Sequence, residues 1–567
     1  MYSGIPGSDG IGIGNAVLIP KQELIYEQNS ALSADEEIKR FDAAAEEYMD
    51  KTSKKAEEMR KNIGDSEAEI LMGHVLMLSD PSMTDEVRNK IREGVTAEYA
   101  AEQVFDMFAM IFEGTGDELT MQRASDLRDI KTGIIKTLLG LEDVSIAALP
   151  KGSVIVADDL TPSMTAEIIK ENIQGIVTAI GGRTSHSAIL ARALEIPAVM
   201  GIGGITEALK DGQQLIVDGS EGKVIADPDE STVSEYEKAR EEFLRQRQEL
   251  MKLIGHPSVT ADGTKVELVC NIGTPGDCAA VMERDGEGIG LFRTEFLFMD
   301  SETKPDEEQQ FEAYKKVAMT MKGKPVIIRT LDVGGDKGIS YLDIGQEDNP
   351  FMGFRAVRYC LKNKDLYKEQ LRALLRASAF GNIKIMVPLV TCVDEIREVK
   401  AMVKELMAEL DQKGVEYDKS IQVGVMMETA AAAVIADLLA AEADFFSIGT
   451  NDLTGYTMAA DRGNANVAYL YSAYNPAVLR NIKRIIECGK AENIMVGMCG
   501  EAAADPCLAP LLISFGLDEY SVSPTSVLAT RATLLKWTKA EADKVAEQAM
   551  SCATEAEVRA ILESNKK

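Results

Sequence analysis

The sequence predicts a multi-domain α/β protein: a small α/β domain carrying an inserted all-helical bundle, then a linker helix, then a C-terminal (β/α)8 TIM barrel. Three observations predict it. From about residue 264, eight β-like runs alternate with helical patterns. Residues 23–145 keep a helical period throughout. Short β-branched runs cut by Gly, Pro or Asp lie on both sides of that stretch, in 1–22 and 146–230.

The opening residues are glycine-rich turns followed by the β-like NAVLIP. The helical texture then begins with ALSADEEIKRF, where Ser33 is a candidate N-cap with acids in the first turn. It continues through AEILMGHVLMLSD, MTDEVRNKIREG and AEYAAEQVFDMFAMIFEG to LRDIKTGIIKTLLG, a pattern of antiparallel hairpins. After 146 the runs GSVIVADDL, QGIVTAI, IPAVMG, QQLIVDG and GKVIAD read as strands of a compact domain. If the first strand joins them, the bundle is an insertion in that domain, as surface loops allow. Residues 231–257 read as a charged connector helix, with an apolar stripe at Tyr236, Ala239, Phe243 and Leu250 and an end at Gly255 and Pro257.

The barrel, 258–567, is read from KVELVCN, GIGLFRTE, PVIIRTLD, IKIMVPLV, QVGVMMET, DFFSIGTND, IMVGMCGE and EYSVSP. Their polar endings include Asn271, Arg293, Glu295, Arg329, Asp332, Glu428, Asn451, Asp452, Cys499, Glu501 and Ser523. In such a barrel these residues converge on the C-terminal mouth, where the site lies. The run AAAAVIADLLAA (430–441) reads as one buried helix, because Asp437 and its length argue against a membrane span.

Of 567 residues, 92 are acidic and 61 basic, a formal net charge of −31. That balance argues against non-specific binding to nucleic acid or to anionic membrane, both polyanions. The opening MYSGIPGSDGIGIG lacks a positive n-region and an apolar h-region, so no secretory signal is expected. Eight irregularly spaced cysteines with no CxxC pair read as reduced thiols, not as a disulfide frame or zinc site.

Several arginines near one mouth, Arg293, Arg329, Arg355 and Arg462, suit a multiply anionic small substrate, and Lys337 of GGDKG could add a point charge. Glu428 and Asp452 are either hard oxygen ligands for Mg²⁺ or neutralising partners of the arginines. Cys499 is either a proton donor to an enolate carbon or a small core residue. The sharpest feature is AIGGRTSHSAILARALEIPAVMG, where Ser185 can cap a helix that starts near His186. The positive helix end disfavours imidazolium and supports an incoming phosphoryl group, so His186 is either a nucleophile or a plain helix-start histidine. His74, in MGHVLML, reads as a packing or partner contact, and His256 as a linker residue.

Together GIPGSDGIGIG, DDLTPSMTA, GGRTSHSAILAR, GIGLFRTEFLFM, RTLDVGGDK, NPFMGFRAVR, IGTNDL and GMCGE resemble the Enzyme I family of the bacterial sugar phosphotransferase system, the phosphoenolpyruvate–protein phosphotransferases. The resemblance covers essentially the whole chain. It implies a swivelling phosphohistidine domain with His186 as phosphoryl acceptor through Nε2 and Thr165 as its hydrogen-bond partner. It implies that Arg293, Arg329, Lys337, Arg355, Asn451 and Arg462 bind phosphoenolpyruvate, that Glu428 and Asp452 hold Mg²⁺, and that Cys499 protonates the enolate to pyruvate. It further implies that the helical insertion docks the phosphocarrier protein HPr near Met72, His74, Leu76 and Met77, and that the protein is a cytoplasmic homodimer joined through the barrel. The chain departs from the family pattern at Asp9 and Ala430, where proline is common, and at Gly455, where glutamine is usual. The related pyruvate-phosphate dikinases and phosphoenolpyruvate synthases need a large nucleotide-binding domain, for which there is no room here. A regulatory homologue without turnover is the non-enzymatic alternative; retention of His186, Cys499, Glu428 and Asp452 speaks against it.

Overall fold

In the computed structural model the chain divides into two units, Met1–Gln248 and Glu249–Lys567. The structure describes residues 1–19, 24–62, 65–113, 118–141, 146–165, 168–182, 185–299, 301, 303–335, 339, 341–342, 344–345, 347–464 and 466–567. Within these, the side chains of 58, 61–62, 65–67, 69–70, 113, 118–122, 125, 162–163, 186 and 193 lie outside the description.

The first unit is built on an eight-stranded sheet. Its strands are β1 (Tyr2–Ser3), β2 (Ile5–Ser8), β3 (Ile11–Ile19), β4 (Ser153–Ala157), β5 (Ile173–Thr178), β6 (Ala198–Met200), β7 (Gln214–Asp218) and β8 (Lys223–Ala226), in the order β1-β8-β7-β3-β4-β5-β6-β2. The strand β3 lies parallel to β4, with Asn15 opposite Ser153 and Ile19 opposite Ala157. The N-terminal strand therefore does join the later ones, and everything between is an insertion. The strands β1 and β2 cap the two ends of the sheet, pairing with β8 and β6. Residues 2–8 thus cover both edges, which would otherwise present unpaired backbone groups. Gly4 is the joint: a Cβ there would fall 2.5 Å from the Met200 carbonyl oxygen.

The insertion is helical: α1 (Ala34–Asn62), α2 (Asp65–Ser79), α3 (Pro81–Ile91), α4 (Ala97–Glu113) and α5 (Glu118–Leu139). Ser33 caps α1 reciprocally with Glu36, its amide reaching Glu36 Oε2 at 2.9 Å. Phe41, Val87, Phe105, Leu127, Ile130 and Ile134 form the bundle core. Within α5 the Tyr48 ring lies where a side chain at Gly133 would stand, 2.2 Å from a built Cβ. On α2, Leu71, His74 and Leu78 are all buried, while Leu76 is 70% exposed.

That burial corrects the reading of His74 as a partner contact. The imidazole has no exposed surface; Nδ1 is 3.4 Å from the Tyr48 hydroxyl, and Nε2 is 3.5 Å from Asp126 Oδ1. Met72 and Met77 are half-buried, packed against two different cores of the first unit.

Short helices α6 (Pro162–Thr165), α7 (His186–Leu194) and α8 (Ile205–Ala208) accompany the sheet, and α9 (Glu230–Met251) spans the division between units. The helix α9 stops at Met251, before Gly255, and Ala239 is exposed, so its apolar stripe is reduced to the half-buried Tyr236, Phe243 and Leu250. Among the described residues, no helix is long and apolar enough to cross a membrane. None of the eight cysteines is in a disulfide.

The second unit is a closed parallel barrel of β9 (Glu267–Ile272), β10 (Ile289–Arg293), β11 (Val326–Arg329), β12 (Ile383–Val387), β13 (Val423–Met427), β14 (Phe445–Ile448), β15 (Met495–Met498) and β16 (Glu519–Val522). Closure is by β16 against β9, Tyr520 opposite Leu268. Alternation sorts each strand: Leu268, Ile328, Ile385 and Phe446 face the surrounding helices, whereas Leu291, Ile327, Met386, Met426 and Phe445 form a separate interior cluster. The alanine-rich run 430–441 is not one buried helix. It forms Ala430–Val434 and Ala436–Ala440, broken at Ile435, with Val434 65% and Leu438 56% exposed.

At the other end of the interior from the mouth, Glu519 is fully buried beside Gly497. Burial and the neighbouring Glu267 push its carboxyl from the ordinary 4.5 up to about 8, against the pull of Lys384. The folded state keeps this proton where the unfolded chain loses it. Its contribution is therefore complete below about pH 4.5 and is lost as pH rises through about 8. Denaturation of the wild type across pH 5–8 is expected to show falling stability, and Glu519→Gln a shallower fall; equal slopes would refute the assignment.

Candidate active site

The barrel mouth gathers its residues from seven strand ends. Arg293 and Arg329 are the last residues of β10 and β11, Glu428 follows β13, and Cys499 follows β15. Asn451 and Asp452 open the helix Thr450–Met458 after β14, and Arg355 comes from the loop after β11. All of them, with Arg462, Asn271 and Ser523, line one pocket of about 450 Å³. The sequence marks this whole group; Lys337, marked with it, lies outside the described residues.

The acids and arginines form an alternating chain. Arg329 pairs with Glu295 and, at 3.2 Å, with Asp332. Arg355 pairs with Asp332 and with Asp452, each at 3.0 Å. Burial works against both cations, but the flanking carboxylates win and hold both guanidiniums above their ordinary acidity range. The neutralising reading of the acids is thus part of the truth. Arg293 differs: burial pulls it below its ordinary value with Glu295 opposing, its Nε meets no partner among the described residues, and it stacks on Phe296 at 4.9 Å. It is the guanidinium best placed to gain from an arriving anion.

Glu428 is buried, and its carboxyl is pushed up to about 8 by burial and then by Asp452 and Asp332, despite Arg329 and Arg355. Its Oε1 accepts the Leu389 amide at 2.6 Å. Leu389 holds a left-handed φ of 56°, and Ala356, next to Arg355, one of 53°. Such backbone is costly and persists where its surroundings demand it; here it aims an amide at Glu428 and a guanidinium at Asp332. The Cys499 thiol is buried and pushed up to about 11, the Ser447 hydroxyl and Arg329 pulling the other way. It is therefore a neutral S–H across the physiological range, the form that can donate a proton.

Several supports went unread in the sequence. Tyr471 donates to the Asn451 carbonyl at 2.7 Å, and Tyr456 to the Phe351 carbonyl beside Arg355. Asn271 Nδ2 donates to the Cys499 carbonyl at 3.1 Å. No local pattern announces these, because the partners lie 20 to 228 residues apart in the chain. Glu295 and Asp332 did carry a signal, standing two and three residues after the strand-end arginines of FRTE and RTLD.

In the first unit, α7 begins as the sequence proposes. Ser185 is the N-cap, its Oγ accepting the Ala188 amide at 3.3 Å, and His186 is the first helical residue. The His186 side chain lies outside the described residues. Ser187 ties the same turn to Asp159 Oδ1 at 2.9 Å, and Arg192 reaches the Gly7 carbonyl at 2.9 Å. Thr165 is buried at the end of α6, which packs on α7. A histidine main chain is thus fixed at a helix N-terminus with free amides and positive dipole.

Three family descriptions match the chain: "PEP-utilising enzyme, N-terminal" over residues 3–123, "PEP-utilising enzyme, mobile domain" over 149–222, and "PEP-utilising enzyme, PEP-binding domain" over 247–539. The chain is 46% identical over 556 residues to the phosphoenolpyruvate-protein phosphotransferase of Priestia megaterium, covering 98% of this chain and 97% of that relative. It is 45% identical over 560 residues to the phosphoenolpyruvate-protein phosphotransferase of Bacillus subtilis (strain 168), covering 99% and 98%. A solution structure described as Enzyme I (nEIt) matches 43% of this chain and 99% of its own at 41% identity, with a TM-score of 0.39. Near-complete coverage at this identity, on top of the barrel-mouth constellation and the capped His186 helix, means that the chain belongs to the phosphoenolpyruvate-protein phosphotransferase family of PEP-utilising enzymes.

Proposed function

We propose that the chain is a phosphoenolpyruvate–protein phosphotransferase: it moves the phosphoryl group of phosphoenolpyruvate to its own His186 and then to a histidine of HPr, releasing pyruvate in the first step of the sugar phosphotransferase system. The observation that carries this reading is the convergence of four arginines, two metal-capable acids and one protonated thiol on a single pocket, in a chain matched over nearly its full length by relatives of that name.

Phosphoenolpyruvate is a small polyanion. Arg293 offers it an unpaired fork, Arg329 and Arg355 stand fixed by their acids, and Asn451, Arg462 and Lys337 complete the binding set. The neutral His186 ring, with Thr165 as its hydrogen-bond support, attacks phosphorus through Nε2. The P–O bond to the enol breaks and the enolate departs with its electron pair. Cys499 gives its S–H proton to the terminal carbon, and the product is pyruvate.

Glu428 and Asp452 suit Mg²⁺: both are hard oxygen donors, and the like-charge crowding that lifts Glu428 is what a divalent cation relieves. Gly449 leaves the space beside Glu428 clear, since a Cβ there would fall 2.8 Å from Oε2. Bound there, the ion neutralises phosphate charge.

The reading divides the chain into a phosphohistidine domain (1–22 and 146–230), an HPr-docking insertion (23–145), a connector (231–257) and the phosphoenolpyruvate barrel (258–567). Docking through α2 falls to Leu76 with Met72 and Met77, without His74. The protein acts in the cytoplasm as a homodimer joined through the barrel.

With Mg²⁺ and labelled phosphoenolpyruvate, the protein is expected to take up acid-labile, base-stable label, and His186→Ala to take up none. Wild-type protein that stays unlabelled across Mg²⁺ concentrations would sink the reading. Cys499→Ala is expected to lose most pyruvate formation, measured in a coupled assay, while still binding phosphoenolpyruvate by calorimetry. Arg293→Gln and Arg355→Gln are expected to separate. The first weakens phosphoenolpyruvate binding about tenfold or more with little change in melting temperature, since charge-assisted bonds are worth about 1.5–3 kcal/mol and no acid loses an ion pair. The second lowers melting temperature as well, because it strips Asp332 of a partner.

A further inference from the structure

The C-terminal helix, Glu555–Ser564, does not line the pocket, yet two of its side chains hold a loop that does. The helix is docked without them. Thr554 and Glu557 form a capping box at its start, and Val558 and Leu562 are buried in the large barrel core. Glu555 and Arg559 reach outward instead. Glu555 Oε1 accepts the Ser472 hydroxyl at 2.7 Å and pairs with Arg559 Nε at 2.7 Å. Arg559 also donates to the Ser472 hydroxyl at 3.2 Å, and its guanidinium lies 3.9 Å from the centre of the Tyr474 ring.

Ser472 and Tyr474 stand at the end of the segment that leaves Met458, carries Arg462 and returns at the helix Pro476–Ala491. Two tyrosines of this segment reach the mouth. Tyr471 donates to the Asn451 carbonyl at 2.7 Å. Tyr474 donates to Asp505 Oδ2 at 2.5 Å, and Asp505 ends the turn Glu501–Ala504 that follows Cys499. The two anchored points are also tied to each other: Asn451 Nδ2 lies 3.4 Å from Glu501 Oε1, and the Glu501 amide 3.3 Å from Asn451 Oδ1. Asn451, Arg462 and Glu501 all line the pocket. Residues 471–474 are thus fastened to the site on one side and to an independently docked helix on the other.

We propose that Glu555 and Arg559 are positioning residues for substrate binding. They clamp Ser472 and Tyr474, and the clamped segment holds Arg462, Asn451 and the turn after Cys499 in the arrangement that receives phosphoenolpyruvate. Their role rests on the mouth binding phosphoenolpyruvate as proposed above. An unclamped segment samples other conformations. Apparent affinity then falls with the fraction of molecules in the competent one, while turnover of the bound complex is unchanged. A contact that only supported the fold would lower the melting temperature and leave KM alone.

In Arg559→Met, KM for phosphoenolpyruvate is expected to rise about fivefold with kcat and melting temperature little changed, as loss of one cation–π contact and one ordinary hydrogen bond requires. The calorimetric Kd, measured with Mg²⁺ in a His186→Ala background so that no phosphoryl group moves, is expected to rise by the same factor. Arg559→Lys keeps a cation over the Tyr474 ring and is expected to return both constants to within about twofold of wild type. Adding Arg559→Met to Tyr474→Leu is expected to change Kd by less than about twofold, since both act through one contact. Hydrogen exchange of residues 466–475 without ligand, followed by mass spectrometry, is expected to quicken in Arg559→Met. Unmoved KM and Kd in Arg559→Met, an equal rise in Arg559→Lys, or unchanged exchange overturns the proposal. A His186→Ala protein that binds no phosphoenolpyruvate overturns instead the phosphoenolpyruvate reading of the mouth.

Discussion

Asp332 holds the barrel mouth together. Its carboxylate is wholly buried and is shared between two buried arginines, Arg329 and Arg355, which are in turn paired outward with Glu295 and Asp452. Removing charge from water costs several kcal/mol per ion, and a single buried pair often only breaks even. An alternating run of five charges divides that cost among neighbours, and its three inner members each satisfy two partners. It also fixes the guanidinium planes, so no side-chain ordering is left to be done when an anion arrives. The run joins the ends of β10 and β11 to the helix after β14, which makes the mouth one electrostatic unit.

That arrangement explains why the strained residues lie where they do. Ala356 and Leu389 both adopt left-handed backbone, one beside Arg355 and the other donating its amide to Glu428. Arg293, outside the run, keeps its Nε without a partner among the described residues. The mouth thus combines a rigid frame with one cation still in need of a partner.

Much of the fold was legible because its signals are local. Alternating β/α texture marks the barrel, strand-end polar residues mark its mouth, and Ser185 before His186 marks the start of α7. The surfaces were harder. Leu71, His74 and Leu78 fall three and four residues apart, a buried helical face that the neighbouring methionines obscured. The alanine-rich run reads as a single apolar helix, yet Ile435 breaks it and Val434 and Leu438 turn outward. The partners of Tyr471 and Asn271 could not be read: Tyr471 folds back onto the Asn451 carbonyl across a loop, and Asn271 reaches the Cys499 carbonyl only because β16 closes on β9. Local chemistry is written in the sequence; second partners are written in the topology.

The pairing of β3 with β4 also has a kinetic meaning. The two strands are adjacent in the sheet, yet residues 20–152 separate them in the chain. Bringing such distant segments together as an open loop is entropically slow. A helical bundle that forms first from its own nearby hairpins draws the two ends together and shortens the effective loop. The order of assembly that follows is helices before sheet, with the edge strands β1 and β2 sealing last, since each needs a neighbour already in place.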